Sequence, residues 1–177
     1  MKVVKQAALM LSVMTLVTGV LYPLVVTAIA HAIAPTNARG DATLIGRSYT
    51  DPRYFWGRPS ATPEQPYNAK ASSGSNHGPL SEALATAVKE RIAALHAAGD
   101  VGAPPVDLVT ASASGLDPHI SPDAAHYQAP RVAKLRGMSL AQVEQMIGAA
   151  TEAPTFAILG APRVHVLELN QSLDNGD

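Results

Sequence analysis

The sequence contains no cysteine among its 177 residues. That removes structural disulfides and thiolate zinc sites from consideration. Charge is scarce too: Asp, Glu, Lys and Arg make up 15% of the chain, with a formal net charge of −1, against ~25% in an average soluble protein. No basic patch is available to grip nucleic acid, and no acidic tail argues for disorder. The phosphate-cradling fingerprints G-x-x-x-x-G-K-[ST] and G-x-G-x-x-G are missing, as are H-E-x-x-H, a His-x-x-x-His pair and the G-x-S-x-G elbow of hydrolases. No internal repeat or low-complexity tract is visible. Aromatics are only 5% of the chain, so the cluster Tyr54, Phe55, Trp56 and Tyr67 stands out.

One absence is local and decisive. From Ala7 to Ala34 the sequence has no Asp, Glu, Lys or Arg, and at ~1.5 Å per residue a helix of that length exceeds the ~30 Å hydrocarbon core of a bilayer. Ala28-Ile29-Ala30 and Ala32-Ile33-Ala34 also fit the small-x-small pattern of a signal cleavage site. The apolar run is much longer than the ~7–15 residues of a signal h-region, however, and a cut after Ala34 would set Pro35 beside the scissile bond. The expectation is a retained single-pass anchor. Lys2 and Lys5 flank one end while the other is bare until Arg39, so the basic excess puts the N-terminus in the cytoplasm and the rest of the chain outside it. Ser12, Thr15, Gly19 and Pro23, continued by Thr27 and Ala30, recur at steps of three and four. Such a stripe of small residues lets another membrane helix approach closely. Pro23 also deprives the Gly19 carbonyl of its donor, which is better tolerated against protein than against lipid.

The remaining chain suffices for one domain with its own core, since a ~150-residue domain buries about 68–70% of its unfolded surface. The fold class expected is α+β: one N-terminal transmembrane helix followed by a single mixed α/β extracytoplasmic domain. Its divisions are a cytoplasmic N-terminus (1–6), the helix (7–34), a linker (35–41) and the domain (42–177). Thr43 to Tyr49 reads as a short strand, and the proline-rich segment after it as an extended loop whose aromatics either plug the domain's own core or anchor a partner or the membrane interface. A helix is predicted from Ser81 to Ala98, stopped by Gly99. Val106 to Thr110 reads as a strand, Ser112 to Ile120 as a polar loop, and Ser121-Pro122-Asp123 as a helix start, with Pro130 restarting or kinking that helix. Ser139 and Gln142 form a capping box, and Arg163 to Leu169 reads as a final strand before a polar tail.

Ser112, Ser114, Asp117 and His119 invite a hydrolase reading. Triad members converge from separate parts of a fold, though, and residues this close in sequence more naturally bond their own loop. Gln142 sits where a truncated nucleotide-transporter signature can be read, but the capping box explains it with local physics alone.

Several stretches resemble the C subunit of the bacterial Kdp potassium-transporting ATPase, the KdpC family, over almost the whole length. They are Tyr22-Pro23-Leu24, Leu44-Ile45-Gly46, Gly57 to Thr62 (GRPSAT), Pro66-Tyr67-Asn68, Gly74-Ser75-Asn76, Asp107 to Pro122 (DLVTASASGLDPHISP), Arg131-Val132-Ala133 and Arg163 to Asn170 (RVHVLELN). Ser73 stands where the family usually has Gly, and the segment His77 to Ser81 is shortened. The resemblance implies a non-catalytic accessory subunit in the bacterial inner membrane, partnered by a potassium channel-like subunit, an ATP-hydrolysing P-type subunit and the lipid bilayer. It implies no cofactor of its own, ATP engaged through the partner ATPase, potassium as the transported ion, no metal site and no nucleic acid. Family members are described as catalytic chaperones that raise the ATPase subunit's affinity for ATP. Because ATP is cytoplasmic and the domain is expected outside, that influence would travel through helix packing as a coupling free energy. The motif loops make Arg58, Ser75, Asn76, Ser112, Ser114, Asp117 and His119 candidate partner or ligand contacts, with Gln142 a weaker ATP-related candidate and no catalytic residue. The alternatives are a membrane-anchored or secreted hydrolase using Ser114 and His119, and a ligand-binding module outside the membrane.

Overall fold

In the computed structural model, residues 2–33 and 42–176 are described. They belong to two compact units, Met1–Asp41 and Ala42–Asp177; the linker expected at 35–41 lies outside the described residues.

The first unit is helical. α1 (Lys2–Leu16) runs into a π-helical turn (Val17–Leu21) and on into α2 (Tyr22–Ile33). Residues Lys2–Ala32 are long and apolar enough to cross a membrane, with a mean hydropathy of 2.1 over an 18-residue stretch within them. The π turn has a local cause. Proline lacks an N–H, so Pro23 cannot donate to the Gly19 carbonyl four residues back, and the Tyr22 N–H bonds Val17 O, five residues back. A π turn adds one residue to the helical circuit, rotating the downstream helix by up to about 100°. Ser12, Thr15 and Gly19 therefore lie before or within the insertion and Pro23, Thr27 and Ala30 after it, so the stripe is divided between two faces. Ser12 and Thr18 donate their hydroxyls to Ala8 O and Met14 O at 2.9 and 2.7 Å, which satisfies both polar groups within the helix itself.

The second unit packs helices around a small antiparallel sheet. β1 (His119–Ile120), β2 (Thr151–Glu152) and β3 (Arg163–His165) lie in the order β1-β3-β2, with His119 opposite His165 and Glu152 opposite Arg163. α3 (Glu82–Ala98) has Ser81 as N-cap and ends on Gly99 at φ 110°. α4 (Val106–Val109) is a single turn. α5 (Pro122–Arg136) is capped by Ser121, whose hydroxyl accepts the Ala124 N–H at 3.1 Å. α6 (Leu140–Ala150) begins on the predicted capping box, with Ser139 N–H bonding Gln142 Oε1 at 2.9 Å and Gln142 N–H bonding Ser139 Oγ at 3.3 Å. Ala124, Ala125, Ala129 and Ala133 make the buried face of α5, and α5 packs most extensively on α6. Phe55, Val132, Val143, Ile147, Val164, Leu169 and Leu173 fill the core with no exposed surface.

Three strand predictions are corrected. Residues 43–49 are not a strand: a short 3-10 turn (Ala42–Leu44) leads into coil, and Gly46 N–H bonds Leu116 O at 2.8 Å in a loop contact. The segment 106–110 is helical rather than extended, with Thr110 N–H on Val106 O closing α4. In Arg163–Leu169 only the first three residues are strand. From Val166 the chain is α7 (Val166–Asn175), whose Val166, Leu169, Asn170 and Leu173 recur at helical spacing and are buried, while His165 caps it by accepting the Glu168 N–H at Nδ1, 3.3 Å away. α5 also runs through Pro130 without an interruption.

The irregular segment before α3 is held by buried amides acting as strand surrogates. Asn170 takes the Phe55 N–H at 2.9 Å and gives to Phe55 O at 3.0 Å; Gln128 does the same for Trp56 at 2.8 and 3.1 Å. Arg131 binds Asp100 Oδ1 at 2.9 Å, Gln128 Oε1 at 2.8 Å, Tyr54 O at 3.0 Å and Pro52 O, with its guanidinium 5.2 Å from the Trp56 ring. Phe55 therefore plugs the core, one of the two roles open to the aromatics of this loop.

Candidate functional site

The motif residues meet on one side of the second unit, where three loops are tied together. Ser60 is the knot. Its hydroxyl donates to Gly115 O at 2.7 Å and accepts the Tyr67 N–H at 2.9 Å, while Thr62 Oγ1 donates to Gln65 O and accepts the Asn68 N–H. Ser112 N–H bonds Pro59 O, and Ser114 O accepts both the Ser73 N–H and the Ser72 hydroxyl. Gly115 sits at φ 68°, and a Cβ there would lie 2.6 Å from Thr62 Cγ2 and 2.7 Å from Ser73 O, so glycine is required on both counts. Tyr67, itself at φ 58°, donates its hydroxyl to Arg58 O at 2.6 Å. Burial, reinforced by the nearby Asp117, pushes the Tyr67 phenol up to about 12.

Beside this knot lies a cleft of about 440 Å³ lined by Arg58, Asp107, Thr110, Asp117, His119 and Arg163 among others. Ion pairs and a backbone hydrogen bond engage its charged lining residues. Arg58 Nη1 is 3.2 Å from Asp117 Oδ2, and Arg163 is 2.5 Å from Glu152. Asp117 Oδ1 accepts the His119 N–H at 3.0 Å and stands 3.5 Å from the His119 Nδ1; Asp107 accepts the Ser121 N–H at 2.7 Å. His119 and His165 meet edge to face with centroids 5.0 Å apart. His165 is buried, its Nε2 2.5 Å from Thr43 O. His165 thus bridges the Glu168 N–H on its Nδ1 side and Thr43 O on its Nε2 side. Burial, followed by His165, holds the His119 imidazole below its ordinary range, with Asp117 opposing.

The structure thus brings Arg58, Ser112, Ser114, Asp117 and His119 into neighbouring loops. Ser75 and Asn76 lie outside the cleft lining, and Gln142 is engaged in its cap. Ser114 Oγ accepts the Leu116 N–H at 3.1 Å, and the Ser112 hydroxyl is buried without a hydrogen-bond partner among the described residues. Among the described residues no hydrogen bond joins either hydroxyl to an imidazole, and it is the backbone Ser112 N–H and Ser114 O that clamp the segments together. Among the described residues no group of three or more His, Asp or Glu is placed to hold a metal ion. Sequence reasoning missed Arg163 and His165 as parts of this region. Their only signal was membership of RVHVLELN, because the pairing of β3 with β1 that brings His165 to His119 is non-local.

Comparison with known proteins points the same way as these motif loops. The family described as "KdpC: K+-transporting ATPase, c chain" matches residues 4–175. The chain is 54% identical over 184 aligned positions to the potassium-transporting ATPase KdpC subunit of Variovorax paradoxus, covering 97% of this chain and 95% of that protein. It is 54% identical to the KdpC subunit of Methylococcus capsulatus, with 96% of each chain covered, and 51% identical to that of Geobacter sulfurreducens, with 98% of each covered.

Proposed function

This chain belongs to the KdpC family, and on that premise we propose that it is a non-catalytic accessory subunit of an ATP-driven potassium uptake complex in the bacterial inner membrane. Residues 7–34 anchor it with the N-terminus (1–6) cytoplasmic, and a linker (35–41) joins them to the extracytoplasmic domain (42–177). Its partners are a channel-like subunit that passes potassium and a P-type subunit that hydrolyses ATP. Its task is to hold the assembly together and to raise the P-type subunit's affinity for ATP. The observation that carries this reading is the match of residues 4–175, anchor and domain alike, to relatives named as subunits of a potassium-transporting ATPase. The internally paired charges of the Arg58–Asp117–His119 region support a positioning role.

In this reading the domain contacts the outer mouth of the channel-like subunit, and Ser12, Thr15, Gly19 and Pro23 pack against a neighbouring subunit's helix. The π turn set by Pro23 supplies the change of face at that contact. Influence on nucleotide affinity then passes as a coupling free energy, typically ~1–3 kcal/mol or 5–150-fold. The test is reconstitution of the complex with a chain truncated after Pro35, measuring ATP affinity against the full-length complex. Weakened affinity is expected; an unchanged value refutes a requirement for the outer domain.

A further inference from the structure

We infer that the cleft between α3 and the loop of residues 48–67 binds a small organic anion, a carboxylate carried on a flat apolar body. This cleft holds about 280 Å³ and shares only Arg58 with the cleft beside the motif knot. Small-molecule sites span ~300–1,000 Å³, so its size suits a small ligand rather than a nucleotide. The inference goes beyond the assembly role proposed above and does not depend on it.

Charge fixes the sign of the ligand. The lining contains two arginines, Arg58 and Arg91, and no Asp or Glu. The two are not equivalent. Arg58 is paired at 3.2 Å with Asp117, whose carboxylate lines the other cleft. Arg91 forms no ion pair among the described residues; its Nη1 donates to Val109 O at 2.7 Å. That carbonyl, at the end of α4, steadies the planar guanidinium while its Nε and Nη2 groups keep donors for another acceptor, the fork that matches a carboxylate. Burial draws the Arg91 pKa down, and Glu90 on the same helix opposes this without pairing with it; a carboxylate in the cleft would offset that desolvation. The Tyr67 phenol, pushed up to about 12 chiefly by burial, brings no negative charge at neutral pH. The same arginines repel a cation, so potassium is not the occupant.

The walls fix the rest of its chemistry. Tyr49, Trp56 and Tyr67 line the cleft, with Leu95 and Leu108 completing an apolar surface. Trp56 gives its indole N–H to Asp51 O at 3.1 Å, and Tyr67 gives its hydroxyl to Arg58 O at 2.6 Å. Both rings therefore have their donors engaged elsewhere and offer the cleft aromatic surface, on which a flat apolar body stacks. An apolar and aromatic lining with a few placed polar groups is the composition of small-molecule sites. An inorganic anion would satisfy Arg91 but leave these walls wet.

The experiment titrates benzoate into the full chain in an uncharged detergent, with Trp56 emission as the readout, because the only tryptophan lines this cleft; calorimetry supplies the Kd and the stoichiometry independently. Saturable binding of one benzoate per chain is expected. R91M should bind at least about tenfold more weakly, and R91K, which keeps the charge and loses the fork, at least about threefold more weakly. No saturable binding by the unaltered chain, or a folded R91M that binds as tightly, overturns the inference. Should R91M fail to fold, an unchanged affinity in R91K overturns it. Inorganic phosphate that binds as tightly as benzoate overturns the assignment to a carboxylate on a flat body. The assembly role is read separately, by co-purification of the chain with the other subunits, and stands or falls on that result alone.

Discussion

Replacing Arg131 by Met removes the cation from the most deeply buried ion pair of the second unit. Asp100 and Arg131 side chains are 0% and 1% exposed, so the carboxylate left behind keeps neither its ion-pair partner nor water. Breaking a buried pair in this way costs about 3–5 kcal/mol. The loss is compounded because Arg131 also donates to Pro52 O and Tyr54 O, leaving those carbonyls without that donor. A single domain is stable by only about 5–15 kcal/mol, so R131M should consume a large part of the margin and lower the unfolding temperature by roughly 10–20 °C, at several degrees per kcal/mol. The assay is thermal and urea unfolding of the detergent-solubilised full chain, followed by tryptophan emission. Trp56 is the only tryptophan and stands 5.2 Å from the guanidinium, so it reports on this clamp directly. The counter-variant D100N/R131M removes the stranded charge and should recover at least about 1 kcal/mol relative to R131M. A loss below about 1 kcal/mol for R131M, or a double variant no more stable than the single, would refute the reasoning.

Three further outcomes are expected. Gly115→Ala should destabilise the chain by about 2 kcal/mol or more, since its φ of 68° and the contacts at 2.6 and 2.7 Å leave no room for a methyl group; an unfolding midpoint within error of the unaltered chain contradicts this. Asn170→Leu should cost about 2–4 kcal/mol, because the Phe55 N–H and C=O both lose their buried partner, and urea titration measures it. His119 is held below its ordinary value in the folded state, so the unfolded chain binds more protons in the window from that depressed value up to 6.5; stability contributed here is complete above that ordinary value and is lost as pH falls through the window. His119→Gln should flatten the part of the unfolding-temperature profile that lies just below pH 6.5, and a profile unchanged by the substitution removes His119 as its source.

Legibility of the fold from sequence followed the range of the physics involved. The caps at Ser121 and Ser139 and the stop at Gly99 were readable because each is a bond between a side chain or backbone group and its own turn. The strand readings at 43–49 and 106–110 failed for the opposite reason: an apolar run becomes a strand only when a neighbouring chain segment offers its ladder, and none of the described residues does so there. The run from Val166 carried period-3 and period-4 apolar spacing, a readable signal of α7 that the β-branched residues of 163–166 obscured. The candidate site was legible as a set of motif loops but not as a geometry. Nothing local says that Ser60 would bond Gly115, or that His119 would face His165.

What the sequence by itself determined is a helix long and apolar enough to cross a membrane, and its π turn, because a long charge-free run and one proline act through the helix that contains them, whatever else is nearby. It also determined the family, through motifs distributed along nearly the whole chain. Only the tertiary structure decided that Arg131 and Asp100 would share a dry interior, and that Gln128 and Asn170 would serve as strand partners for a loop. Each of these depends on desolvation and on partners distant in sequence, and both are properties of the packed chain.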